Sequence, residues 1–254
     1  MSNNNQVLAS YILHLADNAL ILGQRNSEWC GHGPVLEQDI AITNISLDLI
    51  GQARSLYQYA AAITGNGATE DSLAHMRDAR EYKNCLLVEL PNGDWAQTIT
   101  RQFFFSSYQL LLYTQLQQST DTTLAAIAEK SLKEVIYHVR WSSEWIIRLG
   151  DGTAESQQRM QKAIAELWPY TGELFIPASY ELAAAKANFG VDPVVLKESW
   201  YQKIQEIFAE ATVTMPPVGN WSQSGGKDGI HTEHLGFILA ELQFMQRAYP
   251  GVEW

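Results

Sequence analysis

Apolar residues recur at spacings of three and four along most of this chain, and no stretch shows the strict alternation of a half-buried strand. This property predicts an all-α molecule. Val7, Leu8, Tyr11, Ile12, Leu15, Leu20 and Leu22 mark a first helix that ends near Trp29, with Cys30-Gly31-His32-Gly33 as its breaker. Pro34 suits the first turn of a second helix, where a missing N–H costs nothing. That helix runs to about Ile63, and Gly65-Asn66-Gly67 stops it. Its apolar positions, among them Leu36, Ile40, Ile45, Leu49, Ile50 and Leu56, wrap more than one face, which predicts a helix lying deep in the molecule. A third helix is expected from Thr69 or Asp71 to Leu90, ended by Pro91-Asn92-Gly93. Asp94 would cap a fourth, reaching about Gln118, and Ser119-Thr120-Asp121 would open a fifth, reaching Leu149. Shorter helices are expected over 155–175, 178–188, 193–212 and 232–248, with 215–229 as the one long irregular stretch. Long helices joined by short turns make a bundle of antiparallel neighbours. No repeat, low-complexity tract or linker interrupts it, so 1–254 reads as a single domain.

Composition narrows the function. A net charge of -11 argues against nucleic acid and anionic membrane as partners, since both require a basic surface. Two cysteines, Cys30 and Cys85, in a chain of 254 residues make no disulfide framework, and their apolar or aromatic surroundings fit a reduced, cytoplasmic setting. The amino-terminal stretch has no basic leader or small-residue cleavage site, and its apolar face is interrupted by His14 and Asp17, so no signal peptide is expected. No uninterrupted apolar window reaches the roughly 18 residues of a membrane span. Nucleophile elbows, phosphate loops and dinucleotide fingerprints are absent from the sequence.

Chemistry concentrates around Met76–Asn84. On a helix, Glu81 and position 84 would form the Glu-x-x-His pair that di-iron bundles aim into their core, but position 84 is asparagine. Asp48, roughly 30 to 35 residues upstream on the second helix, fits the companion carboxylate. In the other half of the bundle Glu134 is followed by Tyr137 at the histidine offset and by His138 one residue later. Its expected companion falls in Ile99-Thr100-Arg101-Gln102-Phe103-Phe104, which has no carboxylate, and Phe103 or Phe104 would fill the space. Amides are poor iron ligands beside imidazole and carboxylate. Asp48, Glu81, Asn84, Glu134, Tyr137 and His138 therefore read as positions of a site given up, with no metal held by this chain. The plain alternative is that Asp48 and Glu134 are buried carboxylates paired with Arg54, Arg101 or Tyr137.

The stretches LADNALILGQRNSEWCGHGPVLEQDIA, LDLIGQAR, RDAREYKNCLLVELPNGDWAQTITRQ, KEVIYHVRWSSEW and GGKDGIHTEHLG run through to Gly236 and so cover almost the whole chain. On these the sequence resembles the PaaC-type structural subunits of the multicomponent phenylacetyl-CoA monooxygenases (ring 1,2-epoxidases) of aerobic phenylacetate catabolism. The resemblance implies a ferritin-like fold with a four-helix core and additional carboxy-terminal helices. It implies a hetero-oligomer with a catalytic, di-iron-bearing paralogous subunit, a small bridging subunit and a reductase. Subunits of this type support the catalytic subunit without supplying its metal, so no cofactor and no catalytic residue are expected here. The alternatives are a di-iron oxygenase in its own right and a subunit that binds the CoA ester.

The last alternative has its own residues. Arg77, Arg80 and Lys83 would share a face of the third helix, beside Glu81, Tyr82 and Asn84, and arginine suits the phosphates of CoA. A solvated face pairing with Asp78 and Glu81 explains the same stripe. Leu182, Ala183 and Ala184 on a short helix leave room for a ligand, or for a close helix contact. His231, Glu233 and His234 follow a glycine-rich segment. They read as interface or structural groups, with Thr232 as helix cap, and the glycines suit an anion at that helix start. Trp29, Cys30 and His32 are expected in a packed corner.

Overall fold

A computed structural model gives the structure of the protein and describes residues 3–217, 219 and 222–252. The helices are α1 (Asn3–Ser27), α2 (Leu36–Thr64), α3 (Glu70–His75), α4 (Leu86–Glu89), α5 (Trp95–Leu116), α6 (Thr122–Gly150), α7 (Ala154–Leu167), α8 (Ser179–Lys186), α9 (Lys197–Glu210), α10 (Glu233–Leu242) and α11 (Phe244–Ala248). Single 3-10 turns lie at Ala79–Glu81, Trp168–Tyr170, Gly172–Phe175, Pro193–Leu196 and Gly226–Asp228. No strand occurs among the described residues. The fold is all-α, as a ferritin-like class requires, and its long helices are α1, α2, α5 and α6.

The chain forms two compact units, Met1–Pro91 with Gly225–Trp254, and Asn92–Ser224. In the first, α1 and α2 make a long hairpin. Its facing residues, among them Ile12, Leu15, Ala19 and Leu22 on α1 and Ile42, Ile45, Leu49 and Leu56 on α2, are buried. The two backbones come close at Gly23: a Cβ there would lie 3.2 Å from Leu49 and Ile50, and the Ser46 hydroxyl donates to the Gly23 carbonyl at 2.6 Å. Gly65, Asn66 and Gly67 end α2 with three successive positive φ angles, 65°, 53° and 76°. A continuing helix cannot adopt that backbone, and glycine does so without strain.

In the second unit α5 and α6 form the corresponding hairpin, with α7 and α9 against it. Both long helices start where the sequence indicates. Asp94 accepts from the Gln97 N–H at 3.1 Å while Gln97 returns a bond to the Asp94 N–H, and Asp121 accepts from the Leu124 N–H at 2.9 Å. Pro169 ends the expected 155–175 helix early: α7 stops at Leu167 and two 3-10 turns carry the chain to Phe175.

Three expectations are corrected. The third helix does not exist as a unit: α3 is six residues long, and the chain then runs through a 3-10 turn into extended backbone, with Tyr82 at φ −75°, ψ 150° and Cys85 at φ −68°, ψ 153°. The second helix is not buried all round. Leu36 (72% exposed), Ile40, Leu47 (61%) and Ile50 form an apolar stripe on its open side, at the four-and-three spacing of one helix face. The Trp29 corner is not packed either, because Cys30 and His32 are both exposed.

Candidate functional site

The polar residues of the first unit converge on the extended stretch 82–85. Buried backbone outside a helix or sheet must find its hydrogen bonds elsewhere. Here α1 provides them from three side chains on one face. His14 Nδ1 lies 2.7 Å from the Lys83 carbonyl, Asp17 accepts from the Lys83 N–H at 2.8 Å, and Asn18 accepts from the Cys85 N–H at 2.8 Å. The sequence signal for this was present in His14 and Asp17, two polar residues on an otherwise apolar helix face.

Asp17 is fully buried and is the hub of the cluster. Besides Lys83 it accepts from the Tyr57 hydroxyl at 2.6 Å and from both terminal nitrogens of Arg77, Nη1 at 3.0 Å and Nη2 in a shorter contact. Arg77 also donates to the carbonyls of Leu73 at 2.6 Å and Glu81 at 2.9 Å, and its guanidinium lies 4.2 Å from the centroid of the Tyr82 ring. Burial works against the charge on Arg77, but Asp17 outweighs it and holds the proton more tightly than usual. Burial likewise pushes the Tyr82 phenol up to about 12 and the Tyr57 phenol well above its ordinary value, so both stay neutral donors.

A second hub is Glu89, also fully buried. One carboxylate oxygen accepts from Asn84 Nδ2 and from His231 Nδ1, each at 2.8 Å. The other accepts from the Thr232 N–H at 2.7 Å and the Thr232 hydroxyl at 2.8 Å. Thr232 is the N-cap of α10, so the anion at that helix start is this chain's own Glu89. Arg25 donates twice to the Glu89 carbonyl, at 2.9 and 3.1 Å. Gln243 closes the arrangement, donating to the Arg77 carbonyl at 2.9 Å and to the Tyr82 hydroxyl at 3.1 Å.

This lattice redistributes the residues singled out in the sequence. Glu81 and Asn84 share no helical face: Glu81 is exposed and accepts from the Asp78 N–H at 2.7 Å, while Asn84 is buried against Glu89. Arg77, Arg80 and Lys83 form no basic stripe, since Arg77 is buried, Arg80 is exposed and Lys83 is half-buried. Asp48 is half-buried on α2. His231 is engaged at both ring nitrogens, Glu233 is exposed and His234 is half-buried. Sequence reading passed over Tyr57, Glu89 and Gln243 altogether.

In the second unit, His138 is buried on α6, with Glu134 and Tyr137 half-buried beside it and the Tyr137 and His138 rings 6.4 Å apart. The inward polar residues of the hairpin are mostly amides and hydroxyls: Gln102, Ser106, Gln109 and Tyr113 on α5, and Ser131 and Ser142 on α6. Phe103 and Phe104 are fully buried in an aromatic cluster with Trp168, Trp200 and Phe208. On α8, Leu182 is exposed, Ala183 half-buried and Ala184 buried.

Iron in a ferritin-like fold needs several carboxylates and imidazoles directed at one point. Among the described residues no three of His, Cys, Asp and Glu are so grouped. The buried acids of the first unit, Asp17 and Glu89, each already accept four hydrogen bonds from protein donors, and in the second unit buried Glu181 accepts from the Ala178 N–H at 2.8 Å. The donor set described here does not fit a di-iron centre. Nor is any helix of the described residues long and apolar enough to cross a membrane.

The chain is 48% identical over 247 residues to the C-type subunit of the 1,2-phenylacetyl-CoA epoxidase of Escherichia coli (strain K12), covering 97% of this chain and 99% of that protein. The family described as phenylacetic acid catabolic protein matches residues 1–254. With a match over its full length, the chain belongs to the phenylacetic acid catabolic protein family.

Proposed function

We propose that the chain is a non-catalytic structural subunit of a phenylacetyl-CoA epoxidase in aerobic phenylacetate breakdown. In this reading it holds a di-iron-bearing paralogous subunit in a cytoplasmic complex that also includes a small bridging subunit and a reductase. The observation that carries the non-catalytic part is the use of Asp17 and Glu89: the deeply buried acids of the first unit satisfy Arg77, Lys83, His231 and Thr232, and so serve the fold as hydrogen-bond hubs. Two further features support the reading. The apolar stripe Leu36, Ile40, Leu47 and Ile50 offers a helical partner a face at helix-packing spacing. Neither cysteine is in a disulfide, as suits a reducing compartment.

The test is co-expression with the catalytic paralogue in iron-supplemented medium, then separation of the subunits and metal analysis of each. Iron is expected with the paralogue and none with this chain. About two iron atoms per copy of this chain would overturn the proposal. Leu47→Asp on the exposed stripe should abolish co-purification while leaving the far-ultraviolet circular dichroism unchanged.

A further inference from the structure

His231 stands between two acceptors. Its Nδ1 lies 2.8 Å from a Glu89 carboxylate oxygen, and its Nε2 lies 3.0 Å from the Tyr82 carbonyl oxygen. A neutral imidazole has one N–H and can satisfy only one of them, whereas an imidazolium donates to both. The ring has little freedom to turn away. Just upstream, the chain lies directly on the backbone it covers: a Cβ on Gly226 would come within 2.3 Å of the Asn84 carbonyl oxygen, and one on Gly229 within 2.3 Å of the Arg80 carbonyl oxygen. Gly229 also has φ +78°, open to glycine at no steric cost. Immediately downstream, Thr232 is bound to Glu89 through both its N–H and its hydroxyl.

We infer that His231 is a proton-operated latch, which clamps residues 225–235 onto α4 and the extended stretch 82–85 while its ring is charged and loosens them when the ring is neutral. In the neutral state one of the two contacts becomes a meeting of lone pairs. Glu89 then keeps Asn84 and Thr232 but loses its charged partner, and a buried carboxylate without one is costly. The charged groups acting on the ring are Glu89 from α4 and Asp17 from α1, and Tyr82 adds its carbonyl. Lys227, Asp228, Glu233 and His234 flank the ring on its own segment. Burial lowers the proton affinity of His231, but the Glu89 hydrogen bond and charge, the Tyr82 carbonyl and Asp17 together raise it above the ordinary 6.5. A histidine raised on folding stabilises fully below its unfolded value, and that contribution is lost as pH climbs through the folded value.

The experiment is amide hydrogen exchange of the full chain from pH 5.5 to 9, corrected for the intrinsic pH dependence of exchange. Protection of residues 230–242 should fall across a step above pH 6.5, as the imidazolium loses its proton. Protection of α5 should show no such step. His231→Gln has one side-chain N–H donor group at every pH and should abolish the step, and His75→Gln should retain it. Should His231→Gln fail to fold, the ring 15N shifts of the unaltered protein decide: both nitrogens protonated at pH 6.5 supports the latch. A neutral ring at that pH, a flat protection profile, or a step that survives His231→Gln overturns it.

Discussion

The two units stabilise their interiors by different means. The first is organised by direction: Asp17 and Glu89 each gather four donors, and a side chain on one element completes the backbone of another. The second is organised by volume. Phe103, Phe104, Trp168, Phe175, Trp200, Tyr201 and Phe208 make a continuous set of ring contacts, with centroids 5.3 to 6.3 Å apart among neighbours. Dispersion and burial tolerate small displacements, since edge-to-face and tilted ring pairs span a range of separations. Buried hydrogen bonds to charged groups do not, because a donor lost by a few tenths of an ångström leaves an uncompensated charge. The contrast teaches that the interior of an all-α unit can be held in either way.

Truncation should strike both kinds of core hard. Arg77→Ala leaves Asp17 buried beside an empty space and should cost about 3–5 kcal/mol of unfolding free energy in urea. Trp200→Ala, which removes a fully buried ring and its bond to the Phe104 carbonyl, should cost about as much, ~3–5 kcal/mol. If 1–254 behaves as one domain, fluorescence and circular dichroism should report a single shared transition in both variants.

Shape-conserving changes should then separate the two units. Arg77→Lys keeps the charge but loses the planar fork that bonds Asp17 twice, and should still cost about 2–3 kcal/mol. Phe104→Leu keeps an apolar side chain of similar bulk and should cost under about 1.5 kcal/mol. Equal losses for these two would break the distinction. The smallest effect tests a local feature outside either core: Asp94→Ala removes the α5 cap and should cost about 1 kcal/mol, read from the same urea midpoints.

What the sequence made legible follows the same division. Helix ends that depend on neighbouring residues, such as Asp94, Asp121 and Gly65–Gly67, were readable because cap and helix lie within a few positions of each other. Phe103 and Phe104 were expected to fill the place of a missing carboxylate, but their ring partners Trp168, Trp200 and Phe208 lie too far along the chain to be read from it. The course of residues 76–85 was not readable. Local pattern favoured a helix there, and the groups that hold the extended backbone, His14, Asp17 and Asn18, lie more than sixty residues away. His14 and Asp17 stood out on an apolar face, yet nothing nearby in sequence could name their partners. Glu89 was equally opaque, because its partners His231 and Thr232 are 142 and 143 residues distant.

That last separation bears on how the chain is made. Synthesis delivers the amino-terminal part first. Glu89 leaves the ribosome long before residues 231 and 232 exist, and until they arrive its carboxylate has only Asn84 and water for company. The interior of the first unit therefore cannot close during elongation around its own hairpin alone. It has to wait, wet and unfinished, while the whole intervening stretch from 92 to 224 is made and has time to settle. The nascent chain would spend that interval with an open seam beside α4, and it is there that a folding assistant or a premature partner would first find purchase.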